Sequence, residues 1–133
     1  MNRTWLMLGC VGAFLSVLLG AFAAHGLKKL ISIDMINIFS TGVDYQFYHS
    51  FALFICAIYA KECQQQPKAQ RFLALAARFF IMGIMLFSGS LYLYALTAQK
   101  WLGPITPLGG VCFLLAWVCL GICFWSSQSK REI

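Results

Sequence analysis

The sequence predicts an all-α membrane protein: a bundle of four transmembrane helices with a short interfacial helix between helices 1 and 2. Three observations carry this reading. Of the 133 residues, 61% are hydrophobic and only 11% are charged, against about a quarter charged in a typical soluble domain. The apolar residues gather in four runs, each near the roughly 20 residues of helix that cross a hydrocarbon core of about 30 Å. The ten Lys and Arg and the four Asp and Glu fall almost wholly between or beyond those runs. The same composition excludes disorder. It also excludes a β-barrel, because no repeated ten-residue alternation of apolar and polar positions occurs. A chain of this length makes one integral membrane domain, residues 1–133.

The first helix is placed at about residues 5–25, since Trp5 to Ala24 carries no charge. Arg3 before this run and Ala21-Phe22-Ala23 within it resemble a signal peptide, but the run is longer than such a segment needs, so it is read as a retained helix. Leu27, Leu30, Ile31, Met35 and Ile38 then fall on one helical face and predict the interfacial helix over Leu27–Phe39. Thr41-Gly42-Val43-Asp44 resembles a capping box and opens the second helix, about 43–60. A polar loop punctuated by Pro67 follows. The third helix, about 72–98, is uncharged from Phe79 to Gln99 and extends back to Phe72 if Arg78 snorkels to the interface. Gly103-Pro104-Ile105-Thr106-Pro107-Leu108-Gly109-Gly110 reads as a rigid, re-entrant turn before the fourth helix, about 105–125.

Lys and Arg number seven on the side of the termini and second loop (Arg3, Lys61, Lys68, Arg71, Arg78, Lys130, Arg131), against three on the other (Lys28, Lys29, Lys100). That asymmetry predicts a multi-pass protein with both termini cytoplasmic. The net charge of +6 is therefore topological. Membrane lipids are the expected contacts, and nothing points to nucleic acid.

Gly12, Ser16, Gly20 and Ala24 recur every four residues and predict a packing groove on the first helix, matched by Ala52, Cys56 and Ala60 on the second. The six cysteines form no C-x-x-C; Cys63 is expected to be exposed and the others to pack as small apolar residues. One polar constellation stands out: His25, Asp44, Tyr45 and His49, all expected at the outer interface. Ionisable groups at membrane depth are functional candidates by default. The alternatives are interhelical hydrogen bonding, or a metal or haem held between His25 and His49. Two ligands are too few for a structural metal site, so no cofactor is expected. Ser88 and Ser90 are expected to bond helix carbonyls, and no catalytic set is discernible.

The segments Gly20 to Leu27 (GAFAAHGL), Thr41 to His49 (TGVDYQFYH), Leu86 to Tyr92 (LFSGSLY) and Gly103 to Gly110 (GPITPLGG) occur in this order. Together they resemble the YgdD/YwdK-like family of small bacterial inner-membrane proteins. Ala23 stands where the family pattern has a second glycine. The resemblance implies the bacterial inner membrane, a multi-helix fold and no assigned reaction. It also implies that His25, Tyr45, His49, Ser88, Tyr92, Pro104 and Pro107 belong to the family pattern.

Two function classes follow. The first is a structural or accessory protein that joins a larger membrane complex or a homo-oligomer. The second is a small transporter or channel for a neutral or lipid-like substrate. Proton-coupled cation export is disfavoured, because Asp34, Asp44, Glu62 and Glu132 are all placed outside the membrane midplane.

Overall fold

In a computed structural model, which describes residues 1–128, four long helices account for most of the chain and no strand occurs among the described residues. Helix α1 spans Arg3–Ala24 and α2 spans Ile33–Tyr59. Helix α3 runs from Pro67 to Thr97 as one rod with a π-helical turn at Ile84–Ser88, and α4 spans Ile105–Gln128. Lys130, Arg131 and Glu132 lie outside the described residues.

Each helix begins where local chemistry lets it. Asn2 caps α1 by accepting a hydrogen bond from the Trp5 amide. Ser32 does the same for α2 through the Met35 amide at 3.3 Å, with Asp34 in the first turn favouring the positive end of the helix dipole. Pro67 occupies the start of α3, where its missing N–H costs nothing. Ala98 ends α3 in the left-handed region at φ 54°.

Two of these starts correct the sequence reading. There is no separate interfacial helix. Leu27–Lys29 forms a single 3-10 turn, and Ile33 onward is already α2. Thr41 opens nothing; its hydroxyl donates to the Asn37 carbonyl within the helix. A stronger cap nine residues earlier, Ser32, with no breaker between, lets the helix propagate through the expected boundary. Leu27 and Phe39 are buried against Ala23, Val43 and Ala95 rather than laid on a lipid surface. The re-entrant turn is likewise absent: a 3-10 turn at Lys100–Leu102 leads to Ile105, and Pro107 sits in the first turn of α4.

Three segments are long and apolar enough to cross a membrane: residues 3–29, 67–97 and 100–127. Helix α2 is long enough, but Asp34, Asp44, Gln46 and His49 make it less apolar than the others.

The chain folds as two antiparallel hairpins, α1 on α2 and α3 on α4, with α2 also packed along α3. The end holding Asn2 and the α2–α3 loop is termed basal and the other apical. The basal core joins Leu53 and Cys56 of α2, Leu73, Ala77 and Phe80 of α3, and Phe113, Ala116 and Cys123 of α4. In lipid the packing force is close contact rather than exclusion of water, and the glycines supply it. A Cβ on Gly109 would lie 2.7 Å from the Phe87 Cα, so α4 approaches the backbone of the π turn directly.

The groove on α1 is shifted from its predicted line. Gly9, Ser16 and Ala23 are buried, with Gly12 and Gly20 toward Ser50 and Val43 of α2, whereas Ala24 is exposed. Steps of four residues turn about 40° too far each time on a 3.6-residue helix, so a strict four-residue stripe leaves the interface by its third step. Ala52 and Cys56 face α3 and α4 instead of α1.

Substituting Gly109→Leu should force α4 from α3 and lower stability by about 1–3 kcal/mol. Gly121→Leu, where an added Cβ meets nothing within 4 Å, should be close to neutral. Thermal unfolding in mild detergent reads both.

Candidate functional site

The polar groups of α2 meet those of its neighbours at two points. The first centres on Gln46, which is 5% exposed. Its Nε2 donates to the Gly12 carbonyl of α1 at 2.8 Å, and its Oε1 accepts from the Tyr92 hydroxyl of α3 at 2.7 Å. One side chain thus ties together three helices. Gly12 makes the reach possible, because with no side chain there its carbonyl lies open to α2. Around the bridge, Ser16 donates to the Gly12 carbonyl, Ser50 to the Gln46 carbonyl and Ser88 to the Gly42 carbonyl, at 2.6–2.8 Å. Gly42 has its own reason to be glycine: a Cβ there would lie 2.8 Å from the Tyr92 ring.

The second point is His49, also 5% exposed. Its Nδ1 lies 2.6 Å from the Tyr45 carbonyl, and its Nε2 lies 3.2 Å from the Trp117 indole Nε1 of α4. An indole N–H only donates and a carbonyl only accepts. The ring is therefore the tautomer with its hydrogen on Nδ1, donating to Tyr45 and accepting from Trp117. Phe113 stacks on its face at 3.5 Å between centroids and 5° between planes. Tyr45 extends the stack toward Phe87, centroids 4.6 Å apart.

The four residues singled out from the sequence do not converge. His25 is exposed at the apical end of α1. His49 lies level with Gly12, because α1 and α2 run antiparallel with Gly12 against Ser50. About 20 Å of helix separates the two imidazoles, at 1.5 Å per residue. The error has one source: starting α2 at residue 43 put His49 in its first turns, whereas a start at Ile33 puts it deep in the helix. A shared metal or haem between His25 and His49 does not fit this geometry. Both His49 nitrogens are engaged, and no group of three His, Cys, Asp or Glu suited to a metal occurs among the described residues. Asp44 and Tyr48 share the exposed face of α2, and Tyr45 is 40% exposed beside them.

Cysteine exposure is the reverse of the expectation. Cys10 is exposed, whereas Cys63 is fully buried with its sulfur 3.6 Å from that of Cys123. Burial pushes the Cys63 thiol up from its ordinary range.

Sequence reasoning passed over Gln46 and Trp117. Each left a signal: an amide between the aromatic residues Tyr45 and Phe47 inside an expected membrane helix, and a tryptophan far from either membrane boundary. Gln46 and Tyr92 also line a lateral cleft of about 340 Å³ between α1 and α3, walled by Leu8, Leu15, Ile84 and Met85. A second cleft, about 460 Å³, lies between α2 and α4 over Tyr45, His49 and Trp117.

Residues 19–110, which include Gln46, His49 and Tyr92, match the family described as "Protein of unknown function (DUF423)". The chain belongs to the DUF423 family. Relatives that match nearly its whole length carry the name UPF0382. The UPF0382 membrane protein YwdK of Bacillus subtilis is 39% identical over 118 residues, 89% of this chain and 93% of the relative. A UPF0382 membrane protein of Haemophilus influenzae is 36% identical over 129 residues, 97% and 99%. The UPF0382 inner membrane protein YgdD of Escherichia coli is 33% identical over 119 residues, 90% and 87%. The protein is thus a membrane protein of a family without an assigned activity, in keeping with the resemblance read from its four motifs. No solved structure matches the DUF423 chain.

Removing the amide tests the first polar point. Gln46→Leu should lower stability by about 1–2 kcal/mol by leaving the Tyr92 hydroxyl without its acceptor. Tyr92→Phe should cost less, and the double variant should fall short of the sum, since both changes remove one bond. Unfolding of all four proteins in the same detergent closes the cycle.

Proposed function

We propose that this DUF423 protein crosses the inner membrane four times with both termini in the cytoplasm, and that it works by association within the bilayer, as a structural or accessory component, rather than by catalysis or transport. One observation carries the reading. The buried polar side chains of the bundle, Ser16, Gln46, His49, Ser50, Ser88, Ser90 and Ser127, each have a hydrogen-bond partner within the chain. Polar groups that serve a substrate leave donors or acceptors aimed into a path. Here they are spent within the chain, Ser16 and Ser50 on carbonyls of their own helix and Gln46, His49, Ser88, Ser90 and Ser127 on neighbouring helices.

Further support comes from the ends. Among the described residues, Arg3, Lys61, Lys68 and Arg71 cluster at the basal end and Lys28, Lys29 and Lys100 at the apical one, which favours a cytoplasmic basal face. A crossing by α2 is made tolerable by the partners of Gln46 and His49, since satisfied polar groups cost far less in lipid than orphaned ones.

The cleft of about 340 Å³ beside Gln46 and Tyr92 favours a second reading, passage of a neutral or lipid-like molecule. Reconstitution into proteoliposomes separates the two. The accessory reading expects no flux of neutral solutes and no acceleration of lipid exchange over protein-free vesicles. Flux lost in Gln46→Leu, with the fold intact, establishes transport instead.

A further inference from the structure

The outward face of α2 differs from the apolar stretches that the other helices turn outward. Facing outward on α1 are Val11, Phe14, Val17 and Leu18; on α3, Met82, Met85, Leu93 and Leu96; on α4, Leu108, Val111, Leu114 and Val118. Acyl chains suffice to cover these. On α2 one outward row is Asn37, Thr41, Asp44, Tyr48, Phe51, Ile55 and Ile58, with Tyr45 and Phe47 exposed beside it. Two properties of this row go beyond mere exposure. Its members alternate in steps of four and three, the spacing of a coiled-coil seam, so a second helix can follow the row along its length at a crossing of about 20°. Its apical half is polar and includes a carboxylate well inside a helix placed across the membrane. Asp44 accepts no hydrogen bond and makes no salt bridge among the described residues, and lipid tails offer it no donor.

The occupant that answers this need is a second copy of the chain. Acceptor and donor lie one turn apart on the same row: the Asp44 carboxylate, and the Tyr48 hydroxyl, which has no hydrogen bond among the described residues. Thr41 is not equivalent, because its hydroxyl is already given to Asn37 at 3.0 Å. A two-fold axis along the membrane normal sets each row position level with its own copy, and the long Tyr48 side chain, leaning toward the N-terminal end of its helix, spans the one turn up to Asp44 of the other copy. We propose that α2 forms a parallel homodimer seam along this row, with Asp44 of each copy accepting a hydrogen bond from Tyr48 of the other. Phe51, Ile55 and Ile58, 43–61% exposed, continue the seam as apolar packing toward the basal end. The proposal rests on the four-span reading and names the first partner in the association proposed above.

Oxidative cross-linking in native membranes tests it. Cys10, the exposed cysteine, is replaced by Ala, leaving five buried ones. Single substitutions Thr41→Cys, Phe51→Cys and Ile55→Cys are then compared with Phe47→Cys, off the row on the same helix, and Phe14→Cys on α1. The seam predicts disulfide-linked dimers forming at the three row positions about tenfold faster than at the two controls. Tyr48→Phe in the Ile55→Cys background should weaken association about a hundredfold, roughly tenfold for each of the two hydrogen bonds to a charged group lost per dimer. Equal rates at all five positions, no dimer at any, or adducts only to a different protein would overturn the proposal. Labelling of Thr41→Cys by a membrane-impermeant thiol reagent identifies failure of the four-span reading separately, because a residue facing lipid or a seam is protected from it.

Discussion

The structure depends on the bridge that Gln46 makes between the Gly12 carbonyl and the Tyr92 hydroxyl. Helix α2 carries the polar side chains that lipid tolerates least, yet it stands between α1 on one side and α3 and α4 on the other. An amide in hydrocarbon with open valences costs several kcal/mol, whereas a satisfied one costs little. The arrangement of the neighbours follows from that difference. Gly12 opens a carbonyl, Gly42 clears room for the Tyr92 ring, and the π turn in α3 lies between the basal core and the residues that meet α2 near the apical end.

The same logic explains why His49 lies in the bundle, apart from His25 at the apical end of α1. His49 is held by a carbonyl of its own helix, an indole from α4 and a stacked phenylalanine, so its ring fastens α2 to the second hairpin. It mirrors what Gln46 does toward the first. Within each hairpin close contact is supplemented by a side-chain hydrogen bond, Gln46 to the Gly12 carbonyl in the first and Ser90 to Thr106 in the second, while Tyr92 and Trp117 join the second hairpin to α2. That division leaves the outward row of α2 as the place where polar chemistry is not consumed within the chain.

Helices α1, α3 and α4 were legible in the sequence because an uninterrupted apolar run has one sensible fate in a membrane. The family motifs were legible too, since they are local strings. Helix α2 was not. Its polar residues were assigned to a boundary, because Thr41 resembles a cap and nothing in the linear pattern reveals that Ser32 is the better one. That single choice of start moved His49 to the surface, created an interfacial helix and aligned Ala52 and Cys56 with the wrong neighbour. Gln46 stayed unread for a related reason: its value lies in partners distant in sequence, on α1 and α3. Ala24 was misread for a geometric one, the gap between a four-residue repeat and a 3.6-residue turn.

The central claim is that α2 crosses the membrane because its buried polar side chains, Gln46 and His49, are satisfied inside the bundle. Side-specific labelling of single cysteines on a Cys10→Ala background tests it most directly, at Ser32 before α2 and at Gln65 after it. The account predicts that a membrane-impermeant thiol reagent reaches Ser32→Cys from one side of the membrane only and Gln65→Cys from the other only. Reaction of both from the same side would contradict it, leaving α2 on the surface and three spans in place of four.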